Sequence, residues 1–405
     1  MQNINEQQKN NLYSLLERYI QKKHFSFFAD NCGFKSKPRL SDTLEDLLCK
    51  VSSGDIEYSK FFEWFISFFL DGNNYYFVKG YNNELNIDLI KNIIDTKEVF
   101  IQDHIFDIIN VDTLDSTKLL DISLDEHKKQ VHMFFASPCE ISRKIDLAGG
   151  IRQEMLDKGI FLSNIVIDLD NNILIVSLNP TTNLKTVDGI NKEKSFEAIV
   201  NLLVENVRTV IGSFHETRVS WILEVLYELS IEGTGHNNPQ INDLLAKHQN
   251  LLFRAIDKFY TKRLGMGIAD NNLINYAQEQ LINTIENTLI DKFGVILPSK
   301  CYRVFSQQSD TANSTVDIRS EYSTLDVGRI GQLVKSSSKF GDISALGIRI
   351  IEGNSSEGLF VKVSDNNDYF LLSPKGTRFV QKEVYFDVIN KIISIKRKVQ
   401  LAKES

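Results

Sequence analysis

The stretch Asn164-Ile165-Val166-Ile167-Asp168-Leu169-Asp170-Asn171-Asn172-Ile173-Leu174-Ile175-Val176-Ser177-Leu178 frames the reading of the whole chain. Two runs rich in β-branched and apolar residues, 164–169 and 173–178, flank Asp170-Asn171-Asn172, residue types that tolerate left-handed backbone angles. This pattern predicts a β-hairpin. Its apolar residues do not alternate with polar ones, so both faces of the hairpin should be covered. A helix is expected immediately upstream, over about 142–158.

Working outward, the N-terminal part reads as helical. Leu12, Leu15, Leu16, Tyr19 and Ile20 recur at helical spacing, and a second helix is expected from about Ser41 or Thr43, where Thr43 and Asp46 have capping-box spacing. The run Phe61-Phe62-Glu63-Trp64-Phe65-Ile66-Ser67-Phe68-Phe69-Leu70 is about half the roughly 20 residues that cross a bilayer, and Glu63 interrupts it. It reads as a buried core helix, closed by the turn Asp71-Gly72-Asn73-Asn74. Downstream, Phe196, Ile199, Val200, Leu203, Val207, Val210 and Ile211 form one helical stripe, and Trp221, Ile222, Val225, Leu226 and Leu229 form the next. Gly233-Thr234-Gly235 reads as a stop, and Asn238-Pro239 as an N-cap followed by proline at the first helical position. Helices are then expected over 239–263, with Ile241, Leu244, Leu245, Leu252, Ala255, Ile256 and Phe259 on the apolar side, and over 270–292. After a polar stretch (306–324) and a loop (335–339), three short strands are expected over 346–351, 359–363 and 369–372. A final helix, about 383–401, would cover them.

Together these readings predict an α+β, helix-dominated multidomain protein. It has a central β-hairpin-containing α/β unit and a small C-terminal sheet covered by a helix. The expected segments are 1–126, mainly helical with an acidic part at 71–126; 127–212, the central unit; 213–297, helical; and 298–405, the C-terminal α+β unit.

Composition narrows function by exclusion. The 405 residues are 42% hydrophobic and 24% charged, which excludes global disorder. Cys32, Cys49, Cys139 and Cys301 have no short spacing, so a paired-ligand zinc site is not expected. Few cysteines suit a reducing compartment, residues 1–11 lack an apolar stretch, and the expectation is a cytoplasmic protein without membrane contact. The net charge of −7 is uneven: 71–126 carries twelve acids against four lysines, and 301–405 carries fifteen bases against twelve acids. The acidic segment is a candidate surface for a basic protein partner.

Catalytic motifs are not found. No Gly-Lys dipeptide offers a phosphate-loop lysine, and Gly265-Met266-Gly267 lacks the third glycine of a dinucleotide loop. His215-Glu216-Thr217-Arg218-Val219 has valine where a zinc-protease helix needs its second histidine. His127, His132 and Cys139 are poorly spaced for one ion. Asp168, Asp170 and Asn172 mimic the start of a calcium loop, but Ile173 replaces its glycine and Asn179 its glutamate. There is no Gly-x-Ser-x-Gly elbow, and no cofactor is expected.

One pattern keeps functional content. Lys247, Arg254, Lys258 and Lys262 follow steps of seven, four and four, which aligns them on one flank of the 239–263 helix, with Arg263 at its end. Lys391, Lys396, Arg397, Lys398 and Lys403 form a second cluster on the last helix, with Lys391 and Lys398 seven apart and so on one face. Aromatic interleaving is absent from both. The expectation is a non-catalytic binding or assembly component of an intracellular complex that engages DNA or RNA through this basic helix. The alternative is a metal-dependent nuclease or hydrolase with a site assembled from distant residues, Asp168 and Asp170 among them.

Overall fold

In the computed structural model, residues 164–178 form the expected antiparallel pair, with Asp168 opposite Ile173 and Ser163 opposite Leu178. Asn172 takes a φ of 52° in the turn. The structure describes residues 4–82, 85, 87–101, 105–146, 152–181, 183–192, 196–265, 271–310, 315–320, 325, 342–353, 355–376 and 378–404. The loop expected at 335–339 lies outside them, as does part of the polar stretch 306–324.

In chain order the elements are α1 (Glu6–Tyr19), α2 (Ser26–Cys32), α3 (Leu40–Ser53), α4 (Tyr58–Phe68), β1 (Tyr75–Tyr81), α5 (Ile87–Ile101) and α6 (Ile105–Ile108). Then come β2 (Lys118–Asp125), β3 (Gln130–Asp146), β4 (Arg152–Asp168), β5 (Ile173–Leu178), β6 (Leu184–Val187), β7 (Ile190–Asn191), α7 (Glu197–Ile211) and β8 (Glu216–Thr217). The remainder is α8 (Trp221–Thr234), α9 (Pro239–Lys258), α10 (Asn271–Phe293), β9 (Lys300–Asp310), β10 (Thr315–Arg319), β11 (Asp342–Glu352), β12 (Ser355–Val363), β13 (Tyr369–Pro374) and α11 (Lys382–Glu404). Helices dominate and the named strand pairs are antiparallel, so the fold is a mixed α+β, multidomain one.

The chain divides into two compact units, Met1–Ser220 with Ser364–Asn390, and Trp221–Val363 with Lys391–Ser405. In the first, the sheet order is β13-β1-β5-β4-β3-β6-β7, with β2 also on β3 and β8 on β1. Every residue of β5 is buried. One face of the sheet, through Phe134, Ala136, Ile160 and Leu162, packs under aromatic and leucine side chains of α1 to α4, including Phe28, Phe61, Trp64, Phe65 and Phe68. The other face, through Phe161, Ile165, Ile167, Leu174 and Val176, is covered by Ile199, Val200, Leu203, Val204 and Val207 of α7. Residues 164–168 and 173–178 are all buried, so both faces of the expected hairpin are covered.

Two local expectations are overturned. No helix spans 142–158: β3 and β4 pair continuously from Gln130 opposite Asp168 to Asp146 opposite Arg152. Beyond Gly159 this hairpin leaves the core, and Met155 and Leu156 are exposed, so no buried face imposes strand alternation on the sequence. Thr43 does not cap a helix start either. It lies inside α3, where its Oγ1 donates to the Arg39 carbonyl at 2.9 Å and accepts the Lys37 N–H at 2.9 Å.

Residues 380–385 return to the 71–76 turn. The Asp71 carboxylate accepts the Lys382 N–H at 2.7 Å and so caps the start of α11, Gly72 pairs with Val380, and Tyr385 stacks on Tyr76 with centroids 4.1 Å apart. Burial pushes the Asp71 carboxyl up to about 6, against the pull of the Lys382 N–H. Nearby, burial pushes the His24 imidazole down to about 4.

In the second unit the sheet order is β10-β9-β11-β12, with α8 packed on β9 and β11. Gly233 lies within α8, where an added Cβ would come 2.7 Å from Val304 Cγ2 and 3.3 Å from the Tyr302 carbonyl oxygen. Beyond marking the helix stop, this glycine lets α8 approach the sheet closely.

Folding raises the Asp71 pKa, so the folded chain holds that proton more tightly than the unfolded chain. Its contribution to stability falls as pH rises from about 4 to about 6. Asp71→Asn keeps an acceptor for Lys382 and should be more stable than wild type at pH 8 by about 1–3 kcal/mol. Urea melts at several pH values check this: the gap should close below about pH 4, and an unchanged gap across the window refutes the assignment. Separately, Gly233→Ala should cost about 1–3 kcal/mol by overpacking, and less in a Val304→Ala background. Equal costs in both backgrounds would remove the contact from the account.

Candidate nucleic-acid interface

The basic flank lies on an antiparallel helical hairpin. Asn238 starts it: its side-chain oxygen accepts the Gln240 N–H, and Pro239 follows at the first helical position. The same side chain donates to the Phe293 and Gly294 carbonyls at 3.2 and 3.1 Å, tying the start of α9 to the end of α10. Farther along, Gln278 Nε2 donates to the Phe253 carbonyl at 3.4 Å. Both contacts obey one pairing register, so the helices run alongside each other for much of their length. The twenty residues of α9 span about 30 Å, and a π-helical turn, Phe259–Arg263, continues it.

Of the α9 apolar residues only Ile241 is fully buried; Leu244, Leu245, Leu252, Phe253 and Ile256 are half-buried. At about 100° per residue, Leu245, Leu252 and Ile256 fall opposite Lys247, Arg254 and Lys258, which share an arc of about 40°. Lys247, Arg254, Lys258, Lys262 and Arg263 are all exposed. Among the described residues none of the five forms an ion pair, although Asp243 and Asp257 lie exposed on the same helix.

The C-terminal set divides. Lys391 is half-buried, 2.5 Å from Glu232, with its ammonium over the Tyr302 ring at 5.5 Å. It is engaged inside its own unit because α11 there packs against α8. Lys398 is exposed on α11 and has no ion pair among the described residues. Lys396, of the same basic cluster but off the Lys391–Lys398 face, lies over Trp221 at 4.4 Å, and burial lowers its pKa. The seven-residue step from Lys391 to Lys398 gave no sign of these partners, which come from α8 and β9.

The acidic segment is partly engaged as well. Lys91 pairs with Glu126 at 2.7 Å, Lys118 with Asp115 at 3.3 Å, and Asp107 accepts from Gln8 at 2.8 Å.

Asp168 serves its turn. Its carboxylate accepts the Asn171 N–H at 3.0 Å and the Asn171 side-chain amide at 2.9 Å. Asp170 faces outward and pairs with Lys129 at 2.9 Å. His127 is exposed, His132 is half-buried, and Cys139 is buried in the core with its thiol pushed up to about 12 by desolvation. Among the described residues no group of three or more His, Cys, Asp or Glu side chains converges as metal ligands, and no helix is long and apolar enough to cross a membrane.

The turn bonds give a direct expectation. Asp168→Ala should destabilise the chain by about 1–3 kcal/mol by leaving the Asn171 donors unpaired, while millimolar Mg²⁺ or Mn²⁺ leaves the wild-type melting temperature unchanged. A metal-dependent rise that disappears in Asp168→Asn would return these carboxylates to a metal role. No family model matches the sequence, and no curated protein matches it.

Proposed function

We propose that this chain is a non-catalytic binding or assembly component that engages nucleic acid through the outer flank of α9. The observation that carries the reading is the set of five exposed cations, Lys247, Arg254, Lys258, Lys262 and Arg263, with no ion pair among the described residues. A phosphate meeting such a cation displaces condensed counterions and does not compete with an internal carboxylate. Exposed cations of this kind contribute little to the fold, since even paired surface charges are worth about 0–1 kcal/mol. Lys398, exposed on α11, is a separate candidate contact. Lys391 is left out because Glu232 already neutralises its charge.

The net charge of −7 does not oppose a local strip. Acids farther away than about 8–10 Å are largely screened at physiological salt.

Reversing Arg254 and Lys258 together to glutamate should abolish retention of the full chain on immobilised DNA or RNA at low salt. Melting temperature should stay near that of wild type, because both side chains are exposed. Unchanged retention of a folded double variant would discard the proposal.

A further inference from the structure

We infer that the α9 flank takes nucleic-acid duplex, held by its phosphate backbone and indifferent to base sequence. This inference rests on the nucleic-acid reading above and names the substrate class of that same surface.

Three features of the flank point to duplex. The first is rigidity. Lys247, Arg254 and Lys258 belong to one continuous α-helix braced by α10 at both the Asn238 and Gln278 contacts. A stiff row of cations matches a phosphate array that is already ordered. A single strand would have to lose conformational freedom to follow it.

The second is the lack of a stacking platform. Proteins that hold single strands recover the ordering cost by stacking successive bases on aromatic rings, about 1–3 kcal/mol per base. Here Phe253, Phe259 and Tyr260 fall off the cation arc: Phe253 is half-buried and its carbonyl accepts from Gln278, while Tyr260 is half-buried. Phe259, 54% exposed, is the remaining ring of the three, and one ring cannot stack a run of bases.

The third concerns base readout. Direct reading of base edges relies on bidentate Arg, Asn or Gln side chains that reach into the groove. The arc offers Arg254 between two lysines, with Leu251, 68% exposed, beside them; Gln240, exposed on the same arc, lies fourteen residues or about 21 Å from Arg254, too far for the two to read adjacent bases. Lysine heads are point charges suited to phosphate and poor at bidentate base recognition. The same flank suits a membrane surface less well. The apolar side of α9 is turned to α10, and on the cation arc a bilayer would receive Leu251, since Phe259 and Leu264, also exposed, fall off that arc.

The test is equilibrium binding of the full chain to fluorescent duplexes of two unrelated base sequences, in DNA and RNA forms, and to an unstructured oligothymidine strand of equal length. Vesicles containing anionic phospholipid form a further arm. Across about 50 to 200 mM salt, both duplex sequences should bind equally well and more tightly than the single strand. The logarithm of the binding constant should fall against the logarithm of salt with a slope near −4, as four or five phosphate contacts require. Lys258→Gln should make that slope shallower by about 0.9 for both sequences alike. The DNA and RNA arms show which duplex is preferred, and a preference for either supports the inference.

Tighter binding of oligothymidine, a tenfold preference for one base sequence, or tighter binding to the vesicles would overturn the duplex inference. Loss of binding to every nucleic acid would instead overturn the reading beneath it.

Discussion

Complete burial of β5 on both faces is the constraint to which the first unit answers. Its side chains point alternately to opposite sides, and Ile173, Leu174, Ile175, Val176 and Leu178 are each about 1% exposed or less. Burying such side chains is worth about 1.5–3 kcal/mol each, so neither face can be left to water. Leu174, Val176 and Leu178 meet the α7 layer on one face, and Ile173, Ile175 and Ser177 are buried on the other. Neighbouring strands follow the same rule: Phe134 and Ile160 serve one layer, Phe161 and Val131 the other. The phenylalanine-rich helix α4 supplies the bulk that the first layer needs, with Phe65 edge-on to Phe134 at 5.7 Å.

Once that sandwich exists, the chain ends of β1 and β5 need polar closure. Asn74, 2% exposed, donates to the Phe69 and Asp71 carbonyls at 2.7 and 2.9 Å, and Tyr385 donates to Asn74 and Gly72 at 3.0 and 3.3 Å. This cluster binds residues about 310 apart in sequence. Such a separation costs less than intuition suggests, because loop-closure entropy grows by only about 0.6 kcal/mol per doubling of length. The Tyr76–Tyr385 stack and the Asp71 cap act against that cost. Asp71 caps a helix from a distance, and its raised pKa reflects the burial that this position imposes.

How much of this was legible in the sequence differs from place to place, for physical reasons. The 164–178 hairpin was legible because its apolar residues and its Asp-Asn-Asn turn agree with each other and with the core they enter. α7, α8 and α9 were legible because each buries one stripe against a neighbour and ends at a glycine or starts at Asn238-Pro239. The distal half of the β3–β4 hairpin was not, since strands that run out into solvent carry no burial pattern; Arg143 and Asp157, paired at 2.9 Å, look equally at home on a helix. Thr43 and Asp46 had capping-box spacing, yet Asp46 pairs with Lys37 and Lys50 at 3.1 Å each and α3 begins earlier. The unit that joins Met1–Ser220 with Ser364–Asn390 brings together segments far apart in sequence, which no local pattern announces. Of the cation set, the α9 residues could be placed on one flank from spacing alone, because a helix converts spacing into geometry. The engagement of Lys391 could not, because Glu232 and Tyr302 reach it only through tertiary packing.

A helix dipole would explain some of these cations without any ligand, since positive charge near a helix C-terminus is favoured by about 0.3–1 kcal/mol. That account reaches Lys258, Lys262 and Arg263, which belong to the last turn of α9 or its π-helical extension. It does not reach Lys247, eleven residues before the end of α9, because the dipole's effect falls off within one turn. An internal ion pair would be the other ordinary explanation. Asp243 stands four residues before Lys247, the spacing at which such pairs form, yet no bridge closes between them. Arg254 likewise lies a full turn before the helix end. The upstream cations, Lys247 and Arg254, are thus the ones for which fold stability supplies no reason, and a polyanion aligned with α9 would have to touch both.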